Sequence, residues 1–188
     1  LMGYCLASVA AEMSAIVTLV SGPTALPAPK GVSLIAVNTA RQMFEATLRE
    51  LDSKQDIFIG AAAVADYTPV KTAMNKIKKT EEIITLEMKK NPDILAAVSQ
   101  HPNRPFTVGF AAETENLERN AMNKMKKKEL NMIAANLVGL SDQGFGSSKN
   151  ELFVFYKRSK SHIPRAEKLQ VARSLLNLIA KNYKASKK

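Results

Sequence analysis

Two runs of small residues and a scatter of lysines are where this sequence could do chemistry. Gly60-Ala61-Ala62-Ala63-Val64-Ala65-Asp66 follows the apolar stretch Asp56-Ile57-Phe58-Ile59. Small side chains there let a ligand approach the main chain, and Asp66 could take a ribose hydroxyl or a bound cation. A tight helix–sheet contact with Asp66 as a turn residue fits the same segment equally well. Phe110-Ala111-Ala112-Glu113-Thr114 follows Phe106-Thr107-Val108-Gly109 in the same manner. Phe110 is suited to lie against a base, although a Phe at a strand end is more often core. Glu113 could be a ligand contact, but favourable charge beside a helix N-terminus is the leading reading. Asn91-Pro92-Asp93-Ile94 has the composition of a helix start, with Asn capping, Pro in the first turn and Asp complementing the dipole. Such a terminus offers N–H donors to anions, but Asp93 already occupies its positive end.

The lysines say more. Lys76-Ile77-Lys78-Lys79 lies in a stretch with no helical stripe, where a basic run has no structural task. A lysine about 4 Å from a polyphosphate gains roughly 4 kcal/mol at an effective dielectric of ~20, and less once screened. Lys124 and Lys128 are spaced to share one helical face, at the edge of the stripe Leu117, Ala121 and Met125. On spacing alone that position reads as snorkelling stems. The chemistry available is therefore neutralisation of anionic charge. A phosphate loop, a dinucleotide glycine fingerprint and a hydrolase nucleophile elbow are all missing. His101 and His162 sit in loop-like contexts without a Ser or Cys partner at a useful spacing.

These residues need elements to position them. Met2, Leu6, Val9 and Met13 recur as one face of a helix, and Ala15–Val20 reads as a buried strand. After a Pro-rich loop, Val32–Val37 is a second strand. Thr39 and Gln42 make a capping box for a helix with the stripe Ala40, Phe44, Leu48 and Leu51. Asp56–Gly60 is a third strand. Strands alternating with helices imply crossover units and a parallel sheet covered on both faces. The rhythm breaks after Tyr67. Residues 68–90, with Ile83–Met88 alternating as a strand, read as a hairpin or flap projecting from the sheet. Beyond the Asn91 helix come a fourth strand at Phe106–Phe110 and a helix capped by Thr114. A short strand at Met132–Asn136 precedes a Gly/Ser-rich loop from Gly139 to Ser148, and Glu151–Tyr156 is the last strand. The final helix carries Leu169, Ala172, Leu176, Ile179 and Tyr183, followed by a solvated tail from Lys184 to Lys188.

Composition bounds the rest. The 188 residues suit a single domain spanning 1–188. Lys and Arg number 27 against 17 Asp and Glu, a net charge of +10 that favours anionic partners without choosing among them. Aromatic residues are 6% of the chain with no Trp, a poor supply for stacking single-stranded nucleic acid. The single cysteine, Cys5, makes no intrachain disulfide and points to a reducing, cytoplasmic setting. Leu1–Val20, interrupted by Glu12 and Ser14, reads neither as a signal peptide nor as an anchor, so no membrane partner is expected. The metal question is left open, since two His and one Cys would leave carboxylates as the main ligands.

Taken in order, VTLVSGPTALPAP, IFIGAAAVADYTP, NKIKK, KNPDILAAV, TVGFAAETENLE and QGFGSSKNELFVF resemble phosphopantothenate–cysteine ligase, over essentially the whole chain. The resemblance implies a Rossmann-like α/β fold, mostly parallel with helices on both faces, and a homodimer with a flap beside its site. It implies ligation of 4′-phosphopantothenate to L-cysteine with CTP and Mg²⁺, through an acyl-cytidylate. Gly60, Ala61, Ala62 and Asp66 then match the nucleotide-contacting strand end, and Lys76 the flap lysine tied to CTP and catalysis. Asn91, Pro92, Asp93 and Ile94 match the helix start bordering the nucleotide; Phe110, Lys124 and Lys128 match further CTP contacts, which overrides snorkelling for the lysine pair. The family's opening strand, its phosphate loop and an Asn that turns over the intermediate are expected to be missing here. So is the flavin-dependent decarboxylase half often fused to it, whose catalytic Cys does not correspond to Cys5. On that expectation the chain alone binds CTP weakly and does not complete the ligation. The competing readings are an NADP-dependent Rossmann oxidoreductase, which lacks its glycine fingerprint, and a basic nucleic-acid-binding module, whose charges would need to be gathered rather than spread.

Overall fold

The computed structural model describes residues 1–78, 82–138, 148–157 and 159–187. In chain order the elements are α1 (Met2–Glu12), β1 (Val17–Ser21), β2 (Val32–Ala36), α2 (Ala40–Asp52), β3 (Ile57–Gly60), β4 (Tyr67–Pro69) and β5 (Met88–Lys90). They continue with α3 (Ile94–Gln100), β6 (Phe106–Glu113), α4 (Leu117–Lys127), β7 (Met132–Leu137), β8 (Lys149–Tyr156), β9 (Ser159–Glu167) and α5 (Lys168–Ser186). The main sheet runs β3-β6-β7-β8-β9. Its first three strands are parallel and its last two antiparallel. β1 and β2 form a parallel pair of their own, and β4 with β5 an antiparallel one. The fold is α/β, with a mostly parallel arrangement of strands and helices on both faces.

Strand periodicity builds the two faces. Met132 and Ala134 of β7, with Leu152 and Val154 of β8, point into a core completed by Leu6 and Val9 of α1 and by Val171, Leu175 and Ile179 of α5. Ile133, Ala135 and Phe155 point the other way, against Ala121 and Met125 of α4. Strands buried on both faces read as continuous apolar runs, as Met132–Ala135 does. Each such side chain contributes about 1.5–3 kcal/mol by leaving water. No helix among the described residues is long and apolar enough to cross a membrane.

α1 joins the two parallel units. It packs on β1, β2 and α5, and its Cys5, Leu6 and Val9 belong to the core cluster on which Ile57, Ile59 and Ala61 also pack. Among the described residues β1 pairs only with β2, and β3 only with β6, so each keeps one unpaired edge.

Several local expectations are corrected. The first strand is Val17–Ser21 and only half-buried, with Ile16 fully exposed, because a partner lies along one edge alone. Among the described residues of 68–90 the strands are β4 and β5, extended by one bond from the Val70 N–H to Glu87 O at 2.9 Å, and Ile83–Glu87 is in no strand. Asn91 does not cap α3; Asp93 does, accepting the Ala96 N–H, because the Asn91 amide is committed elsewhere. Asn116, in the left-handed region at φ 49°, rather than Thr114 precedes α4. Tyr156 does not end the last strand: β9 follows, an edge strand whose polar residues and Pro164 hid it. His162 lies on β9, not in a loop; it is bonded to Glu151 at 2.6 Å and stacked on Phe153. Leu169 is exposed, its place on the stripe taken by Val171 and Leu175. The expected tail is helical to Ser186, and Lys187 bonds Asp56 at 3.3 Å across the Tyr183 ring, while the Tyr183 hydroxyl donates to Asp56. Lys79, the loop from Gly139 to Ser147 and Lys188 lie outside the described residues.

Candidate active site

The site is built where β3 and β6 end. Gly60 and Gly109 are register partners on these strands. A Cβ on Gly60 would come within 2.8 Å of Leu95 Cδ2, and one on Gly109 within 2.6 Å of Leu130 Cδ1. The paired glycines therefore let Leu95 of α3 settle onto the sheet. That contact brings the start of α3 to the strand ends.

Asn91 then ties the loop after β3 to α3. Its backbone N–H donates to Asp66 O at 2.8 Å, and its side-chain amide to Ala65 O at 2.9 Å. Two bonds from one residue fix Ala61–Asp66 beside Pro92, Asp93 and Ile94. Helix α3 has seven residues and its first-turn N–H is taken by Asp93, so it is no free anion site.

From the other side α4 contributes its lysines, one turn apart. Lys124 Nζ donates to Phe110 O at 2.7 Å, within β6 and one residue beyond the level where β3 ends. Lys128 pairs with Asp93, Nζ to Oδ2 at 3.0 Å. Neither is a stem spread over the surface: Lys124 crosses to β6 and Lys128 to the neighbouring helix. Burial pushes the Lys124 ammonium below its ordinary value, and Lys128 adds to that; Glu113, Asp93 and Asp66 pull it back. Burial raises the Asp93 carboxyl, but the Ala96 N–H and the two lysines outweigh it, leaving it below the usual carboxylate value.

Asp66, Asn91, Asp93, Lys124, Lys128 and the Phe110 carbonyl are thus linked by hydrogen bonds, an ion pair and mutual charge into one open shelf where β3 ends. Gly60 meets Leu95 beside it, Ala62, Pro92 and Ile94 adjoin it in sequence, and the Ala61 and Phe110 side chains pack instead on the core under α1 and α5. Lys76 stands apart, exposed on the arm between β4 and β5, with no ion pair to a described residue. A groove of about 440 Å³ between α1 and α5, lined by Glu12, Leu169, Gln170, Arg173, Ser174 and Asn177, shares none of these residues. Sequence reasoning left two contributors unassigned. Glu113 reads in sequence chiefly as charge beside a helix N-terminus, and Asn120, which donates to Glu113 Oε2 at 2.9 Å, was overlooked; its spacing of four from Lys124 was the available signal. Among the described residues no three carboxylates, His or Cys converge to cage an ion. Burial pushes the Cys5 thiol up, which leaves it unsuited to nucleophilic work.

Asp93→Ala removes both a cap and a partner for Lys128. The expected loss is about 1 kcal/mol, or roughly 2–4 °C in Tm. Because the folded Asp93 value is depressed, its contribution is present above the ordinary carboxylate value and fades as pH falls through the folded one. Thermal melts of both proteins should therefore converge on acidification, and a gap independent of pH would contradict the capping role.

Parallel strands whose carboxyl ends carry small residues, lysines and carboxylates define an α/β ligand-binding domain of the doubly wound class. Residues 1–183 match the family model of the DNA/pantothenate metabolism flavoprotein C-terminal domain, and the chain belongs to that family. It is 48% identical over 181 residues to the coenzyme A biosynthesis bifunctional protein CoaBC of Vibrio cholerae, covering 95% of this chain and 45% of that protein. The protein of the same name from Escherichia coli K12 is 43% identical over 186 residues, covering 97% and 46%. The crystal structure of the C-terminal domain of a coenzyme A biosynthesis bifunctional protein CoaBC matches with a TM-score of 0.80 at 32% identity, covering all of this chain and 83% of that one. The chain spans less than half the length of these curated relatives.

Proposed function

We propose that the chain carries the CTP-dependent ligation of 4′-phosphopantothenate to L-cysteine in coenzyme A biosynthesis. The observation that supports this most is the shelf itself, where Lys124 reaches the Phe110 carbonyl of β6 and Lys128 pairs with Asp93 at the start of α3, with the charge of Asp66 close to Lys124. In the proposed reaction a carboxylate oxygen attacks the α-phosphorus of CTP and the α–β bond breaks, releasing pyrophosphate. The cysteine amine then attacks the acyl carbon, the bond to CMP breaks, and the amine gives up a proton. Both steps need positioning and neutralised phosphate charge more than a nucleophile of the protein. Lys124 and Lys128 suit the nucleotide phosphates, Phe110 the base, and the small residues Gly60–Ala62 close approach of the ligand. Lys76 would add its charge from the arm. Mg²⁺ belongs to this reading as the companion of the triphosphate, keeping most of its waters.

Two further parts of the reading are ours. One more strand, with the family's phosphate loop, would complete the sheet between the unpaired edges of β1 and β3, which α1 holds on a common face. A homodimer is supported by the exposed apolar residues Ile83, Ile84, Leu86 and Met88 on the arm.

The test is a coupled assay on a chain joined to that completing segment, with 4′-phosphopantothenate, L-cysteine and CTP·Mg²⁺. Equal yields of CMP, pyrophosphate and phosphopantothenoylcysteine are expected, with thermal stabilisation by CTP·Mg²⁺ and none by NADPH. Absence of CMP release would end the reading, and sedimentation of the same sample at the monomer mass would remove the homodimer from it.

A further inference from the structure

We propose that Glu113 and Asn120 form a brace that positions the Lys124 ammonium against the Phe110 carbonyl; the consequence for CTP rests on the function proposed above. Glu113 is the last residue of β6, half-buried, and its carbonyl is held by the Val138 N–H at 2.9 Å. Its carboxylate accepts from Asn120 Nδ2 at 2.9 Å, and the same amide donates to Glu115 O at 3.2 Å. Asn120 therefore grips the β6–α4 turn at two points. The turn needs such a grip, because α4 begins after a left-handed Asn116 with no side-chain cap.

Asn120 and Lys124 are four residues apart, so both project from one face of α4 toward the end of β6. Fixing Asn120 to Glu113 sets the start and rotation of the helix. That in turn sets Lys124 Nζ at 2.7 Å from Phe110 O. The carboxylate acts on Lys124 a second time, as charge. Lys124 is desolvated and faces Lys128, both unfavourable to its proton, while Glu113, Asp93 and Asp66 favour it. Of these carboxylates, Asp93 is paired with Lys128. Asp66 is an exposed side chain on a loop. Glu113 is the one held in place from the helix that carries Lys124.

Glu113→Gln keeps the shape and removes the charge; Asn120→Ala keeps the charge and removes the grip. In the 188-residue chain, labelled at lysine and with the Lys124 resonance assigned by Lys124→Met, the side-chain titration of Lys124 is read directly by NMR. Glu113→Gln should move its midpoint to lower pH, and Asn120→Ala should move it the same way by less. In the completed protein, the Kd for CTP should rise about twofold in Glu113→Gln at pH 7 and about tenfold at pH 9, as Lys124 loses its proton earlier. A residue that only supports the fold would lower Tm and leave the pH dependence unchanged. If Glu113→Gln does not fold, Asn120→Ala decides the matter. A Lys124 titration superimposable on the wild type in the folded variants overturns the brace. Failure of the wild type to bind CTP overturns the functional reading and leaves the titration result standing.

Discussion

Lys124→Met is expected to weaken CTP binding in the completed enzyme by about 10²–10³-fold and to leave the melting temperature nearly unchanged. The reason is the setting of the ammonium. It is partly withdrawn from water, and its one direct bond is to the carbonyl of Phe110. A phosphate oxygen arriving at the strand ends meets a positioned charge in a medium less polar than water, where an ionic hydrogen bond counts for far more than on the surface. Losing one such preorganised donor costs roughly 2.7–4 kcal/mol where charge develops in the transition state. Methionine keeps the stem packing, so the change isolates the charge. Calorimetric titration of CTP·Mg²⁺ into both proteins reads the effect. Equal affinities would remove Lys124 from the site.

The second large effect is expected at Lys76. Around Lys124 the shelf carries Asp66, Asp93 and Glu113 as well as Lys128. Carboxylates outnumber ammonium groups there, so the shelf cannot by itself neutralise a triphosphate. The missing positive charge has to come with the nucleotide's cation and from a basic group outside the shelf. Lys76 on the arm is exposed and free of ion pairs with described residues, so it costs little to redirect. Lys76→Ala should lower the rate of acyl-cytidylate formation about 10²-fold. Stability should stay within about 0.5 kcal/mol, since the side chain makes no fold contact. Single-turnover measurement of pyrophosphate release reads the first step alone. An unchanged rate would strike Lys76 from the catalytic list and leave the shelf intact.

What could be read from the sequence, and what could not, follows from the range of the forces involved. Lys124 and Lys128 fell on the right face because helical spacing is a local property, fixed by geometry. β7 was evident because a strand covered on both sides must be apolar throughout, and Met132–Ala135 is. β9 was missed because Ser159, Lys160, His162, Pro164 and Arg165 answer to an edge position facing water, which only the assembled sheet defines. Asn91 was misjudged for a related reason. Its local preference for capping lost to two bonds with Ala65 and Asp66, residues distant in sequence. At the end of the chain Lys184–Lys187 are exposed, as solvated charge is, but the segment is helical to Ser186 and Lys187 also reaches Asp56 over the Tyr183 ring, contacts distant in sequence.

The bare ladders along β1 and β3 have a cost of their own. Among the described residues, β1 and β3 each offer a row of main-chain N–H and C=O groups with no strand beside it, and such a row is a template for a further extended segment. Cross-chain adhesion would then be seeded at these borders rather than in the well-sealed interior.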